Sequence, residues 1–138
     1  MDYLALLPHA PPMRLIEHVV ELVPGERAHC RRDTAESDFY FDGHFPGQPV
    51  VPAVILVELV AQAGGLAAGA PTGDRTASIK SLRVAALGPF KFPAAAGPGV
   101  TLDVFARVVG RLGGLFKIEG EVMSDGRLLA SGSVTLAG

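Results

Sequence analysis

The hydrophobic and polar positions divide the chain into strand-like stretches around one long apolar segment. Residues 15–23 are β-branched and apolar and end at Pro24-Gly25, a dipeptide that marks a turn. Residues 26–34 resume as a polar–apolar strand, so a hairpin is predicted near the start. From Pro52 the pattern changes: Pro52-Ala53-Val54-Ile55-Leu56-Val57-Glu58-Leu59-Val60-Ala61-Gln62-Ala63 is apolar nearly all round. Proline suits the first turn of a helix, where its missing N–H has no helical partner anyway. A helix apolar on every side is predicted to be buried on every side. Roughly 15 residues span about 22 Å, enough to cross a small domain. The Gly64-Gly65 pair is expected to kink or fray the helix end, and Pro71 to stop it. Residues 76–87 and 100–109 read as strands, the second after the turn at Gly97-Pro98-Gly99. Residues 115–123 alternate, with Phe116, Ile118 and Val122 on one face and Lys117, Glu119 and Glu121 on the other. Asp125-Gly126 is a hairpin turn signal, and residues 127–136 close that hairpin. The sum predicts an α+β arrangement, an antiparallel sheet wrapped around one buried helix. No repeat or low-complexity linker divides residues 1–138, so a single domain is expected.

One stretch fits neither period. Phe39-Tyr40-Phe41-Asp42-Gly43-His44-Phe45-Pro46-Gly47-Gln48-Pro49 sets four aromatic rings among two prolines and two glycines, which fix and bend the backbone. It reads as an ordered loop with a large apolar content.

Composition narrows the function classes. The formal net charge is −2, without the basic stripe that a nucleic-acid binder needs. The adjacent Arg31 and Arg32 read as two solvated side chains at a strand edge. The scattered basic residues, Lys80, Arg83 and Lys91 among them, are candidates to dock an acidic carrier protein. Charged residues make up 19% of the chain, below the usual value near ~25%, a hint that another subunit covers part of the surface. The N-terminal Met1-Asp2-Tyr3 lacks the basic region of a signal peptide. The most apolar stretch, residues 50–70, carries Glu58 near its centre, costly in lipid, so no membrane span is expected. The lone Cys30 has no internal partner, which fits a reducing, cytoplasmic setting. It reads as a small buried hydrophobe, with His29 on the opposite strand face.

The candidate chemistry begins with Glu58, a carboxylate inside an apolar helix. Stripped of water and unpaired, its charged form is destabilised, so the group stays protonated, with a raised pKa, and can act as a general acid. The helix alone leaves open a narrow solvent-facing strip or a structural arginine partner. Gln62, one turn on, is placed to orient the carboxyl. His44 lies on the rigid loop before the helix, and histidine is the side chain best suited to take a proton at neutral pH. A lone loop histidine is more often a structural group; the pairing with Glu58 across an apolar slot favours the acid–base reading. The N–H groups of Ala53, Val54 and Ile55 open the helix without helical partners and favour developing negative charge, such as that on a thioester carbonyl oxygen.

The run His44-Phe45-Pro46-Gly47-Gln48-Pro49-Val50-Val51-Pro52, followed by Leu56-Val57-Glu58 and Ala61-Gln62-Ala63, resembles the 3-hydroxyacyl-[acyl carrier protein] dehydratases of the FabZ type. Leu7-Pro8-His9 and Pro12-Met13-Arg14-Leu15-Ile16-Glu17 resemble that family's opening motif. The resemblance implies a hotdog fold and a dimer, or a trimer of dimers, each site pairing the histidine of one subunit with the glutamate of the other. It implies that His44 removes the α-proton and Glu58 protonates the departing 3-hydroxyl, giving a trans-2-enoyl thioester and water. The expected partner is an acyl carrier protein carrying a 3-hydroxyacyl phosphopantetheine, in fatty acid or related polyketide or polyene synthesis. Gly43, Phe45, Ala53, Val54 and Gln62 are the expected substrate contacts. No cofactor or metal is expected, since His9, His18 and His29 are scattered singly. Three departures bear on substrate preference: Ala53 stands where the family has glycine, Ala10-Pro11 replaces Arg-Tyr, and Glu17-His18 replaces Asp-Arg. Two other readings remain at this point, a thioesterase on the same fold and a non-catalytic dehydratase-like subunit.

Overall fold

The computed structural model describes residues 3–69 and 82–138. These form six strands and one α-helix, with short 3-10 turns at Tyr3–Leu6 and Phe39–Phe41. The first hairpin is β1 (His18–Val23) and β2 (Arg27–Asp33), and the aromatic loop leads into α1 (Ala53–Gly69). β3 (Arg83–Lys91), β4 (Thr101–Leu112), β5 (Leu115–Ser124) and β6 (Arg127–Ala137) follow. They make one antiparallel sheet in the order β1-β2-β4-β5-β6-β3. α1 packs against β2, β4, β5 and β6, the hotdog arrangement of a sheet around a helix.

Strand alternation builds the core. Ala28 and Cys30 of β2, Leu102, Val104 and Ala106 of β4, and Phe116, Ile118 and Val122 of β5 turn inward onto Leu59, Val60, Ala63, Leu66 and Ala67 of α1. The β5–β6 turn has positive φ at both Asp125 (49°) and Gly126 (78°), the two-residue type whose twist matches the flanking strands.

Several expectations need correction. β1 begins at His18, not at residue 15: Leu15 and Ile16 are fully buried, but their N–H groups turn to the Gln62 side chain instead of a strand neighbour. β3 runs on through Gly88-Pro89 to Lys91, because an edge strand tolerates the missing proline donor. Residues 76–81 of the predicted strand, Lys80 among them, and Pro71 lie outside the described residues.

The helix is not covered on every side. Val54 is 73% exposed and Ala53 is exposed, while Val57 and Glu58 are half-buried, so its first two turns open an apolar strip. Nor does the glycine pair end it; α1 continues through both to Gly69. Gly64 is there for packing: a Cβ on it would lie 2.6 Å from Ile118 Cγ2 on β5, whereas one on Gly65 would meet nothing within 4 Å. Gly64→Ala therefore overpacks the core and is expected to destabilise by about 1–2 kcal/mol after the helix-propensity gain. Gly65→Ala is expected to stabilise by about 0.5–1 kcal/mol. Urea unfolding midpoints that move in opposite directions check the pair.

Candidate active site

The loop that carries His44 is held by a buried charged network. Arg32 is 7% exposed, contrary to the solvated pair expected of Arg31 and Arg32. Strand alternation puts it on the inner face with Ala28 and Cys30, while Arg31 faces out and pairs with Asp103. The Arg32 guanidinium donates to the Tyr40 hydroxyl and to the Leu15 carbonyl, each at 2.9 Å, and pairs with Asp38 at 2.9 Å. Tyr40 in turn donates to Asp38 at 2.6 Å. Burial pushes the Asp38 carboxyl up, but the Tyr40 and Ala35 hydrogen bonds and the Arg32 charge outweigh it and hold Asp38 below its ordinary value. Tyr40→Phe removes a bond to each charged partner and is expected to cost about 1.5–3 kcal/mol, read as a fall in unfolding free energy.

Beyond this anchor, Gly43 takes φ 74°, a conformation that favours glycine, and the chain turns to His44. The His44 N–H donates to the Phe41 carbonyl at 3.0 Å, and the His44 carbonyl accepts from Val50 N–H at 2.8 Å. The ring Nδ1 lies 3.0 Å from the Val50 carbonyl oxygen. A carbonyl only accepts, so Nδ1 carries the hydrogen; in the neutral ring Nε2 then holds the lone pair, the form a base requires. The Phe45 ring stacks on the imidazole at 4.5 Å between centroids and is itself 59% exposed. The loop is ordered as expected, yet its apolar content divides: Tyr40 and Phe41 are buried, while Phe45 faces out.

At the helix start, the Ile55 N–H donates to the Pro52 carbonyl at 2.9 Å. It is therefore engaged, contrary to the expectation of three free donors. Among the described residues, the N–H groups of Ala53 and Val54 have no such partner and lie on the exposed first turn.

Glu58 opens onto a cavity of about 300 Å³ lined by Leu7, His9, Ala61, Gln62 and Arg83 among others. Its Oε2 is buried without a partner. Lost hydration raises the Glu58 pKa, opposed in part by the charge of His9 and a hydrogen bond with Gln62. Gln62 is 1% exposed and does more than face the carboxyl. Its Oε1 accepts from Leu15 N–H at 2.9 Å and Ile16 N–H at 3.4 Å, and its Nε2 donates to the Met13 carbonyl at 2.7 Å. The amide thus ties the N-terminal segment to the helix.

Within one chain, then, Glu58, Gln62 and His9 share a cavity, and His44 is not among its lining residues. Ala53, Val54, Gly43 and Phe45 lie on exposed surface. His18 is not isolated: it lies beside Glu17 and Asp33, ligand atoms within 4.8 Å of one another, all on exposed side chains. Glu17 already accepts from Asp33 N–H there, at 2.7 Å. No helix among the described residues is long and apolar enough to cross a membrane.

Comparison with known proteins bears on the family and the fold. The FabA-like domain model matches residues 7–133. The 3-hydroxyacyl-[acyl-carrier-protein] dehydratase FabZ of Syntrophotalea carbinolica is 32% identical over 130 residues, 94% of this chain and 87% of that protein. The protein of the same name from Nitratidesulfovibrio vulgaris is 35% identical over 134 residues, 97% of this chain and 86% of that one. Among solved structures, the dehydratase heterocomplex ApeI:P from Xenorhabdus doucetiae matches with a TM-score of 0.75 at 18% identity, covering 99% of this chain and 90% of that chain. The TT0310 protein from Thermus thermophilus matches with a TM-score of 0.69 at 20% identity, covering 94% and 97%. At those identities the structural likeness speaks for the fold.

Proposed function

This chain belongs to the FabA-like family, in its FabZ-type dehydratase branch, and on that premise we propose that His44 and Glu58 are the base and the acid of its reaction. The protein is a hydro-lyase that dehydrates a 3-hydroxyacyl thioester, carried on acyl carrier protein, in fatty acid synthesis. The carrying observation is the Glu58 carboxyl, half-buried, with one oxygen unpartnered and its pKa raised by lost hydration. Such a group holds a proton for delivery.

In the proposed step, His44 Nε2 takes the α-proton, and the electrons of that C–H bond form the new C2–C3 double bond. The C3–O bond breaks, and the Glu58 proton goes to the departing hydroxyl, giving water and a trans-2-enoyl thioester. The thioester carbonyl, gaining negative charge, lies at the free N–H groups of Ala53 and Val54. Ala53 retains the N–H of the family glycine and adds a methyl group beside the thioester.

Because His44 does not line the Glu58 cavity of its own chain, the proposed site forms between two subunits, His44 from one and Glu58 of the partner subunit. The exposed Val54 and Phe45 supply apolar surface for that contact. The protein is thus proposed as a homodimer or a trimer of dimers, with residues 1–138 as one domain, working in the cytoplasm. Exposed Arg83, on the wall of the Glu58 cavity, is the proposed contact for the acidic carrier.

The test is hydration of a short trans-2-enoyl thioester, followed as loss of the ultraviolet absorbance of the conjugated enoyl group. Disappearance of the band without release of free thiol supports dehydratase chemistry. Release of free thiol marks a thioesterase, since cleaving the thioester removes the band as well, and no reaction marks a non-catalytic subunit.

A further inference from the structure

His9 belongs to the opening motif of the chain and has no part in the reaction as described so far. Yet it lines the same cavity as Glu58. Two buried atoms of these residues lack partners, His9 Nδ1 and Glu58 Oε2. Unpaired buried polar atoms are uncommon enough that each calls for an explanation. An imidazole and a carboxyl, each short of one hydrogen bond on one cavity wall, complement each other directly or through a water.

The other titratable group lining the cavity, among the described residues, is Arg83. A guanidinium does not release its proton near neutral pH, so His9 is the cavity group able to exchange one with Glu58. Its placement is also fixed: the segment just after it, at Met13, Leu15 and Ile16, is held by Gln62, one helical turn beyond Glu58. His9 and Glu58 also sense each other electrostatically, the imidazole charge opposing the upward push of burial on the carboxyl.

We propose that His9 is a positioning residue that returns to Glu58 the proton lost in each turnover. The idea rests on Glu58 being the acid. Once Glu58 has protonated the departing hydroxyl it is a carboxylate. The His9 imidazolium then transfers its N–H proton to that carboxylate, becomes neutral, and takes a proton from solvent. The proton removed by His44 leaves to solvent, so the cycle consumes none overall.

The experiment compares His9→Asn and His9→Gln with the unaltered protein in steady-state dehydration, with and without added imidazole. Both variants are expected to lose kcat by about tenfold or more, to keep KM within about threefold, and to regain most of kcat with imidazole. Unchanged kcat in either variant, a loss confined to KM, or a loss that imidazole leaves untouched overturns the proposal. So does failure of both variants to fold, since His9 would then be a packing residue. Glu58→Gln serves as the control: activity persisting there sinks the acid assignment itself, whereas its inactivity with and without imidazole leaves the His9 result to be read alone.

Discussion

His44→Ala is expected to lower kcat/KM for a 3-hydroxyacyl thioester by about 1,000-fold, within the range that positioned acid–base groups contribute, or about 4 kcal/mol of transition-state stabilisation. The reason is local. The Val50 carbonyl holds the ring hydrogen on Nδ1, and no other described side chain is fixed on this loop with a free basic nitrogen. The same substitution is expected to leave folding nearly intact, because the backbone bonds of residue 44 to Phe41 and Val50 do not use the ring. Initial rates, with circular dichroism as the folding check, measure both. Activity within about tenfold of the parent would remove His44 from the mechanism.

Glu58→Gln is expected to cost about 100- to 1,000-fold in kcat/KM, since an amide keeps the shape of a carboxylic acid but has no proton to give. Mixing it with His44→Ala tests the shared site. In a mixed dimer, one site regains both working groups and the other has neither, so random exchange of subunits restores about a quarter of the parent activity. No recovery would place both groups of each site in one chain. The raised Glu58 pKa also sets two pH trends. Dehydration slows as pH rises through the raised value and the acid loses its proton. The overall reaction neither releases nor consumes a proton, so hydration falls along the same limb. For stability, a carboxyl whose folded pKa lies above its unfolded one contributes fully below the unfolded value and loses that contribution as pH rises through the folded value. Glu58→Gln should therefore leave the melting temperature unchanged near pH 4 and raise it near pH 8.

Much of this was legible in the sequence where a local rule decides the outcome. Alternation fixed the inner face of β5, Asp125-Gly126 marked its hairpin, and Pro52 marked the start of α1. His44 and Glu58 stood out as polar residues in stiff or apolar surroundings. Arg32 was misread although its signal was present: with Cys30 buried, the residue two further along the same strand must also face inward. Gly64 is different in kind, since a helical glycine that admits Ile118 and one that frays a helix look the same until the facing strand is placed. The contacts of Gln62 reach partners some 46 to 49 residues away, and His9 comes to line the same cavity as Glu58 only through the fold, so no local pattern encodes either placement. The opening of the helix's first turns was hidden for a similar reason, because a uniformly apolar helix reads the same whether a strand or a second subunit covers it.

The sole thiol of the chain has a practical consequence. Cys30 is fully buried in β2, between β1 and β4, and burial pushes its pKa up to about 12. Folded protein is thus silent toward a maleimide or disulfide dye, and a reagent used to follow release of free thiol gives no background from the enzyme. Colour that develops slowly without substrate instead times the opening of the sheet around β2, which makes Cys30 a built-in clock for that opening.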